Sequence, residues 1–486
     1  MSEQKLEEIR NIRLEKIKKL IALGINPYPS KPKEGIEDIA DAREKLEQDV
    51  MVAGRVMSIR GHGNVAFFDL KDETGKIQLW FQKDKLADSY KITELLDVGD
   101  ILYAKGIVTK TKAGEISIDV NDFQLLSKSI RPLPSTWFGL KDVEERYRQR
   151  YVDLILNEEA RKIFDLRTGL VTEIRKFMDS KGFREVETPI LQPIYGGASA
   201  QPFTTHHNAL DTDLYLRISD ELYLKRLIVG GYRKVYEIGH VFRNEGIDRA
   251  HNPEFTMMEF YWAYANYEDL MTLTEEMLST IINKLTGSYK VQHEDDLLDF
   301  TPPWPRVKFR DLLLEKTGID IDATRTEVAL KKEINGRKLK FDLKGVVGYG
   351  ALCDKLYKEY IRPSLVQPQY LVDYPSAMIA LAKKKEENPH YISSVQLLVK
   401  GYEIIKAYNE LNDPVDQKDR WLEEERLGKK GLEDHMVLDK DYIRALEYGM
   451  PPTAGWGMGI DRLVSILTNQ HSLKEVILFP TLRPEK

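Results

Sequence analysis

Apolar positions recur with a helical period near the start of the chain. They predict an amphipathic helix over Glu7–Leu23. The expected buried stripe is Ile9, Ile12, Ile17, Leu20 and Leu23, and the expected basic face carries Arg10, Arg13, Lys16, Lys18 and Lys19. A basic face of this kind either contacts nucleic-acid phosphates or simply faces solvent, and the pattern favours neither.

The period changes to strand-like alternation between Val50 and Leu126. Turn-forming residues separate five short runs, and the longest connection falls between the third and fourth. The predicted strands are Val50–Ile59, Ala66–Lys71, Ile77–Gln82, Ile101–Thr109 and Glu115–Leu126. This arrangement favours an OB-fold barrel, which binds single-stranded nucleic acid on aromatic side chains. The aromatic candidates, about half of which alternation should bury, are Phe67, Phe68, Trp80 and Phe81.

Longer elements follow the proline-containing segment Arg131–Ser135, which is typical of a linker. A helix is predicted over Glu158–Lys181, with Gly182 as its stop. Its expected buried face is Ile163, Leu166, Leu170, Ile174 and Phe177. We therefore expect an α+β protein with an N-terminal helical extension (1–48), an OB-fold domain (49–128), a linker (129–145) and a larger domain (146–486) with an insertion at about 307–363.

The composition narrows the class of protein. Hydrophobic residues make up 42% of the 486 residues, as in soluble globular proteins, and no run of about 18 apolar residues predicts a membrane span. The charged N-terminus does not resemble a secretory signal, so we expect a cytoplasmic protein. A single cysteine, Cys353, excludes an internal disulfide and a cysteine-rich zinc site. The net charge of −6 means that any contact with nucleic acid must come from a local basic patch.

Three separated stretches carry candidate chemistry. The first is Lys181–Pro189, a helix end that runs into a strand. The second is the loop Phe242–Gly246, followed by His251–Phe255 and Met257–Tyr261. Two strands joined by this loop would place Arg243 opposite Glu259. Arginine suits bidentate capture of a phosphate or carboxylate, and Phe255 offers a flat face to a base. By itself, the second stretch is also compatible with a surface hairpin that carries ion pairs.

The third stretch is Gly455–Leu463, in which glycines alternate at residues 455, 457 and 459. Glycine lets a strand backbone approach a ligand without a Cβ in the way. Arg462 begins the helix that follows, where a guanidinium can stack on a base and meet phosphate charge. The spacing differs from the dinucleotide fingerprint that opens a parallel βαβ unit.

In this order, the three stretches resemble motifs 1, 2 and 3 of class II aminoacyl-tRNA synthetases. Further segments, Gly196–Ala198, Phe203–Leu210, Leu216–Ile218, Glu221–Arg226 and Glu410–Pro414, resemble the lysyl-tRNA synthetase family in particular. The resemblance covers nearly the whole chain. It implies an antiparallel catalytic sheet flanked by helices, a homodimer formed through motif 1 with Pro189, and an ATP-dependent ligation of lysine to tRNA(Lys) that uses Mg²⁺.

The resemblance also implies a role for each matching residue. Arg243 would bridge the lysine carboxylate and the α-phosphate, Phe255 and Arg462 would enclose adenine, and Glu403 would hold magnesium. Further nucleotide contacts would come from Glu245, His251 and Asn252. The implied lysine-binding positions are Gly197, Glu221, Glu259, Tyr261, Lys406, Tyr408 and Glu410, with Gly197 and Glu221 at the α-amine and Glu259, Tyr261 and Glu410 at the ε-ammonium. The implied anticodon-reading positions are Phe67, Gln78 and Glu115.

Several positions depart from the family pattern. Gln201 replaces a common arginine, Gln396 a second metal-binding glutamate, Lys406 an asparagine and Tyr408 a phenylalanine, and residues 374–382 lack the usual glutamate and Ser-Pro. These departures leave the number of magnesium ions open. Two other readings also stay open: a related aspartyl- or asparaginyl-type synthetase, and a non-catalytic RNA-binding paralogue. An acidic substrate would require cations at residues 259 and 410, and a paralogue without activity would be expected to lose Arg243 or Arg462.

Overall fold

The chain forms two compact units, Met1–Arg146 with Tyr151–Leu156, and Tyr147–Arg150 with Asn157–Lys486. A computed structural model describes residues 3–134, 140, 142–337, 339, 343–431 and 436–485. Parts of the predicted linker (135–139 and 141) and of the predicted insertion (338 and 340–342) lie outside the described residues. In the described part of the chain, no helix has the length and apolar character needed to cross a membrane.

The first unit is built on a closed five-stranded barrel in the order β1-β2-β3-β5-β4. Its strands are β1 (Asp49–His62), β2 (Val65–Lys71), β3 (Lys76–Gln82), β4 (Ile101–Lys110) and β5 (Ile116–Ser127). Its helices are α1 (Glu3–Ala22), α2 (Ile39–Arg43) and α3 (Lys83–Leu86), followed by α4 (Val143–Arg148) and α5 (Arg150–Leu156), where the division between the units falls. The predicted strands and the OB-fold are confirmed, because alternation places one face of each strand in the barrel core.

Helix α1 is confirmed, but its predicted faces are partly wrong. Ile12 and Leu23 are 59% and 62% exposed, whereas Arg13 is buried. The Arg13 guanidinium donates hydrogen bonds to the backbone oxygens of Val98 and Ser129, and Lys16 pairs with Asp97 at 2.8 Å. Two residues of the predicted basic face therefore fix the helix to the barrel through hydrogen bonds and an ion pair with residues far along the chain, which the helical pattern alone does not reveal.

The second unit contains an eight-stranded sheet in the order β14-β15-β16-β17-β18-β11-β10-β6. All neighbouring pairs are antiparallel except the two edge pairs β14/β15 and β10/β6. The remaining strands form two small sheets. The strands of this unit are β6 (Arg184–Glu185), β7 (Leu191–Gln192), β8 (Thr204–His207), β9 (Thr212–Leu216), β10 (Lys234–Phe242), β11 (Glu254–Ala263), β12 (Lys290–His293), β13 (Asp296–Asp299), β14 (Arg306–Lys308), β15 (Gln369–Val372), β16 (Ser394–Val399), β17 (Tyr402–Asn409) and β18 (Thr453–Gly459).

Helices cover both faces of the large sheet, as strand alternation requires. On β11, Met258 and Phe260 join one hydrophobic cluster, and Tyr261 and Ala263 join the other. The helices are α6 (Glu158–Ser180), α7 (Glu221–Val229), α8 (Tyr267–Thr286), α9 (Phe309–Thr317), α10 (Glu327–Gly336), α11 (Tyr349–Leu356), α12 (Pro414–Gly428), α13 (Lys440–Glu447), α14 (Ile460–Leu467) and α15 (Leu473–Val476). This architecture confirms the expected α+β class and the antiparallel sheet flanked by helices.

Helix α6 matches its prediction closely. It starts after Asn157, whose side chain accepts hydrogen bonds from the backbone N–H groups of Glu159 and Ala160. It ends before Gly182, which has φ +76°. The short strand β6 follows and pairs with β10, so the first motif leads from the helix into the edge of the large sheet.

Candidate functional site

A cavity of about 860 Å³ lies over the central strands of the large sheet. Register places the cavity floor in rows that cross β11, β18 and β17. One row contains Tyr261, Gly455 and Tyr408, and the next contains Glu259, Gly457 and Lys406. Because the middle strand contributes glycines, side chains of the neighbouring strands can lie directly over its backbone.

One end of the cavity is acidic. The carboxylate of Glu259 is 3% exposed and accepts hydrogen bonds from Ser219 Oγ at 2.7 Å and from the Tyr261 hydroxyl at 3.1 Å. Burial and the nearby negative charge of Glu221 raise the pKa of Glu259 to about 7. No cation among the described residues pairs with Glu259. This end therefore suits a ligand that brings a positive charge.

Two other glutamates of the predicted lysine pocket share an internal partner, Lys225. The Lys225 ammonium lies 2.6 Å from Glu221 Oε1 and also pairs with Glu410 Oε2. Burial alone would lower the pKa of Lys225, but the negative charges of Glu221 and Glu410 outweigh burial and raise it. The Tyr408 hydroxyl donates to the same Oε1 of Glu221 at 2.8 Å. Glu410 itself is not part of the cavity wall.

Two glycines are required by close packing at this end. A Cβ at Gly455 would lie 2.0 Å from Glu410 Oε1 and 2.4 Å from the ring of Tyr261. Gly197 has φ +86°, and a Cβ there would lie 2.8 Å from Ser219 Oγ. The alternating glycines of the third motif thus also make room for side chains that build the pocket, and not only for a ligand.

The opposite end of the cavity is cationic. The guanidinium of Arg243 lies 5.2 Å from the centre of the Phe255 ring, and Arg462 donates to the backbone oxygen of Glu403 at 3.1 Å. Burial lowers the pKa of Arg243, Glu245 opposes this effect, and the like charge of Arg462 adds to it. Two partly buried guanidinium groups whose like charges oppose each other suit a phosphate or carboxylate ligand.

The predicted pairing of Arg243 with Glu259 is wrong. Glu259 is the register partner of Glu237, and the backbone N–H of Arg243 donates to Pro253. The two strands pair over nine positions before the loop begins, so Arg243 lies beyond the end of the ladder. Both side chains nevertheless reach the same cavity.

His251 and Asn252, which the resemblance assigns to nucleotide binding, line the cavity. His251 is 51% exposed and contacts Asp248 at 2.9 Å through Nδ1. Asn252 is buried, and its Nδ2 donates to the backbone oxygen of Glu254 at 2.6 Å. The Oδ1 atom of Asn252 has no hydrogen-bond partner among the described residues, so a donor on a ligand can be accommodated there.

Glu403, the carboxylate that the resemblance assigns to magnesium, lies on the cavity wall. Among the described residues, no cluster of three or more His, Cys, Asp or Glu side chains is placed to hold a metal. Gln396 Oε1 already accepts hydrogen bonds from the hydroxyls of Tyr357 and Tyr374, each at 2.7 Å. Magnesium is commonly held by one or two carboxylates together with substrate phosphates and waters, a role that Glu403 alone can fill.

The structure brings together nearly all the predicted catalytic-site residues. Residues that line the cavity are Gly197, Glu221, Arg243, Glu245, His251, Asn252, Phe255, Glu259, Tyr261, Glu403, Lys406, Tyr408 and Arg462. The exception is Glu410, whose Oε1 atom fills the space that a Cβ at Gly455 would take and which pairs with Lys225. Sequence reasoning gave no role to Lys225 or Ser219. The spacing of Glu221 and Lys225, four residues apart at a helix start, is the signal that it missed.

The barrel presents a separate candidate surface. Phe67 on β2 and Trp80 on β3 are register partners and stack with centroids 6.1 Å apart and planes 16° apart. Phe68 and Phe81 are buried in the core, as alternation predicts. Gln78 is buried and accepts from Ser117 Oγ at 2.9 Å, and its Oε1 is therefore already engaged. Glu115 is exposed immediately before β5.

Two family models match the chain. Residues 142–483 match tRNA synthetases class II (D, K and N). Residues 50–126 match the OB-fold nucleic acid binding domain. The two matches cover the sheet that carries the cavity and the barrel that carries the aromatic pair.

Close relatives align along the full length. The chain is 46% identical to a lysine–tRNA ligase of Carboxydothermus hydrogenoformans over 488 residues, covering 100% of both chains. It is 46% identical to a lysine–tRNA ligase of Pelotomaculum thermopropionicum, covering 100% of this chain and 96% of the relative. It is 49% identical to that of Aquifex aeolicus, covering 93% and 76%. With the barrel, the antiparallel sheet and the three motifs in place, these similarities show that the chain belongs to the lysine–tRNA ligases of class II.

Proposed function

We propose that this chain joins lysine to tRNA(Lys) in two steps at the described cavity. ATP and lysine first give lysyl-adenylate and pyrophosphate. A hydroxyl at the 3′ end of the tRNA then takes the lysyl group from the adenylate, and AMP leaves. The observation that carries the proposal is the distribution of charge along the cavity. Buried Glu259 shares a register row with Gly457, whereas Arg462 follows Gly459, at the end of the same strand, and Arg243 lies beyond the paired part of β10 and β11. Lysine has ammonium groups for the acidic end and a carboxylate for the cationic end.

The chemistry needs no activated side-chain nucleophile. An oxygen of the lysine carboxylate attacks the α-phosphorus of ATP, a carboxylate–phosphorus bond forms, and the bond to pyrophosphate breaks. The protein contributes positioning and charge neutralisation. Arg243 would lie between the lysine carboxylate and the α-phosphate, where its desolvated charge offsets the charge that develops.

The amino-acid pocket would recognise both amines of lysine. Glu259 and Tyr261 would take the ε-ammonium, since an ammonium removed from water needs a paired acid. Glu221 and the backbone at Gly197 would take the α-amine. Glu410, which pairs with Lys225, would join Glu259 and Tyr261 at the ε-ammonium. Tyr408 would hold Glu221 in place through the hydrogen bond between them.

The nucleotide would occupy the cationic end. Phe255 and Arg462 would enclose adenine, and Glu245, His251 and Asn252 would contact the rest of ATP. Glu403 would hold Mg²⁺ against the phosphates, and the ion would neutralise their charge when bound.

The barrel would read the anticodon with Phe67, Gln78 and Glu115, because splayed bases are recognised by stacking and hydrogen bonding. We further propose a cytoplasmic homodimer formed through the first motif. We also propose that the domains of the chain divide at residues 48, 128 and 145 and that residues at about 307–363 form an insertion.

ATP–pyrophosphate exchange measured with each of the twenty amino acids tests the function. Lysine should support exchange, and the other amino acids should not. Exchange with aspartate or asparagine in place of lysine would favour the related synthetases, and exchange with none, together with intact tRNA binding, would favour the non-catalytic paralogue. The matching family model covers synthetases for aspartate, lysine and asparagine, so exchange with these three amino acids is the decisive comparison.

A further inference from the structure

Lys406 brings an unpaired ammonium to the floor of the cavity. It lines the cavity from β17, is partly buried, and has no hydrogen bond or ion pair with any described residue. Its register partners on the neighbouring strands are Gly457 of β18 and Gln396 of β16, neither of which carries a charge. A partly buried ammonium needs a partner, so the charge of Lys406 is available to an anionic ligand.

The side chain of Gln396 is already engaged within the protein. It is 5% exposed, and its Oε1 atom accepts hydrogen bonds from the hydroxyls of Tyr357 and Tyr374, each at 2.7 Å. A carbonyl oxygen has two lone pairs, and both tyrosines are buried. The Oε1 atom therefore has no lone pair left for a metal ion, and Gln396 brings no negative charge that would pair with Lys406.

A β-bulge brings Glu403 to the same face of the sheet as Lys406. Residues three apart in a regular strand point to opposite faces, but the register of β17 shifts in the middle of its pairing with β16. As a result, Glu403 and Lys406 both line the cavity. Among the described residues of β17 and β18 that line the cavity, Glu403 is the only acid. Its negative charge opposes the lowering of the Arg243 pKa by burial, so Glu403 acts electrostatically on that guanidinium.

The proposed reaction brings several negative charges together at this face. The lysine carboxylate and the α-phosphate are both anionic, and charge builds up on the phosphate oxygens as the new bond forms. A magnesium ion on one carboxylate neutralises part of this charge when bound. A protein ammonium that is already in place neutralises a further part without moving, which is how preorganised groups stabilise a transition state.

We infer that Lys406 is a catalytic residue: its ammonium neutralises the charge that forms where the lysine carboxylate meets the α-phosphate, so that the protein holds one Mg²⁺, through Glu403, and Gln396 binds none. This inference rests on the proposed function and deepens it. In the step, a carboxylate oxygen of lysine forms a bond to the α-phosphorus, and the bond to pyrophosphate breaks. Lys406 stays protonated throughout, and no proton moves.

Steady-state exchange kinetics of the full-length protein test the role of Lys406. Lys406→Gln should lower kcat about 100-fold or more, as loss of one preorganised group does, and change the KM for ATP and for lysine only a few-fold. Lys406→Arg keeps the charge and should retain kcat to within about tenfold. Lys308→Met is the matched control, because Lys308 is an exposed lysine of the same sheet that does not line the cavity. Its kcat should equal that of the wild type.

The number of bound Mn²⁺ ions tests the role of Gln396 without relying on activity. Electron paramagnetic resonance of the full-length protein with Mn²⁺, lysine and α,β-methylene-ATP, whose α,β bridge is not cleaved, measures this number. Gln396→Glu should bind as many ions as the wild type, because Lys406, its cross-strand partner, pairs with the new carboxylate. The same pairing occupies the ammonium, so kcat of Gln396→Glu should fall.

Thermal unfolding identifies variants that fail to fold, and the Mn²⁺ count of Gln396→Glu remains informative if Lys406→Gln does not fold. The inference is wrong if folded Lys406→Gln keeps kcat within about threefold of the wild type. It is also wrong if Gln396→Glu binds an additional Mn²⁺ ion. Absence of lysine-dependent exchange by the wild type would instead overturn the proposed function.

Discussion

At the scale of single residues, the buried acids decide what the pocket accepts. Glu259 is held by Ser219 and Tyr261, whereas Glu221 and Glu410 already have Lys225. Burial raises the pKa of both Glu259 and Glu410, and Lys225 opposes the effect at Glu410. Glu259 is therefore the acid whose charge state depends most on the arrival of a ligand cation.

Lysine affinity should fall as the pH is lowered through 7. Because the pKa of Glu259 in the empty pocket is raised to about 7, lower pH protonates the carboxylate, while the ligand ammonium, with a pKa of about 10.4, stays charged. The lysine dissociation constant should rise about tenfold from pH 8 to pH 6, as a single protonation near pH 7 requires.

Calorimetric titrations of lysine from pH 6 to pH 8 check this prediction. The other titratable and charged groups around Glu259 are Glu221, Glu410, Lys225 and Asp220. Glu259→Gln should bind lysine weakly and without this pH dependence. A constant affinity in the wild type from pH 6 to pH 8 would contradict the assignment of Glu259 to the ε-ammonium.

Lys406 is the most informative departure from the family pattern. It lies in the row of Glu259, with Gly457 between them, and it has no hydrogen bond or ion pair with any described residue. Two interstrand steps of about 4.8 Å separate the two backbones. An unpaired ammonium at this distance from the acidic end suits the lysine carboxylate better than its ε-ammonium.

Lys406→Asn should keep lysine specificity and change the lysine KM only by a few-fold. At an effective dielectric of about 20, two charges about 4 Å apart interact by roughly 4 kcal/mol, but desolvation removes most of this. Lys406→Glu should weaken lysine binding by repelling the carboxylate, as measured by calorimetry. Tighter binding by Lys406→Glu would place the residue at the ammonium instead.

At the scale of elements, strand alternation places some aromatic side chains of the barrel on its surface and others in its core. The side chains of Phe67 and Trp80 stack on the outer face of neighbouring strands β2 and β3. Phe68, next to Phe67 on the same strand, is 1% exposed in the core. The pair Phe67 and Phe68 therefore offers a surface residue and a core residue of identical chemistry.

Phe67→Ala should lower kcat/KM for aminoacylation of tRNA(Lys) while leaving ATP–pyrophosphate exchange nearly unchanged. A lost base stack is worth about 1–3 kcal/mol, which corresponds to roughly 5- to 150-fold. Phe68→Ala is the control: deleting a core ring costs about 3–5 kcal/mol of stability and should lower the unfolding temperature. Equal losses in both half-reactions for Phe67→Ala, with a lower unfolding temperature, would make Phe67 a core residue.

At the scale of the whole molecule, the residues immediately after the first motif expose apolar side chains. Ile190 and Leu191, which follow Pro189, are 45% and 46% exposed in the single chain. Adjacent exposed apolar side chains often mark an interaction surface. Their position directly after Pro189 supports the proposed homodimer.

Leu191→Asp should convert a dimer into a monomer of 56.2 kDa, measured by sedimentation equilibrium. A charge that would be buried without a partner opposes association. Val328→Asp is the matched control, since Val328 is 80% exposed and lies on α10, away from the first motif. It should stay dimeric. A wild-type protein that sediments as a monomer would contradict the proposal.

The sequence alone determined the features that depend on local periodicity and short spacing. Alternation located the barrel strands, the helical period and Gly182 delimited α6, and the three motifs identified Arg243, Phe255 and Arg462. Tertiary structure decided what depends on residues far apart in the chain. Tyr408 meets Glu221 across 187 positions, Lys225 reaches Glu410, Arg13 contacts the backbone near Ser129, and register separates Arg243 from Glu259. Period and spacing constrain residues that are close in the chain. The pairing of buried charges is set by strand register and side-chain packing, which bring together segments whose sequences do not indicate that they will meet.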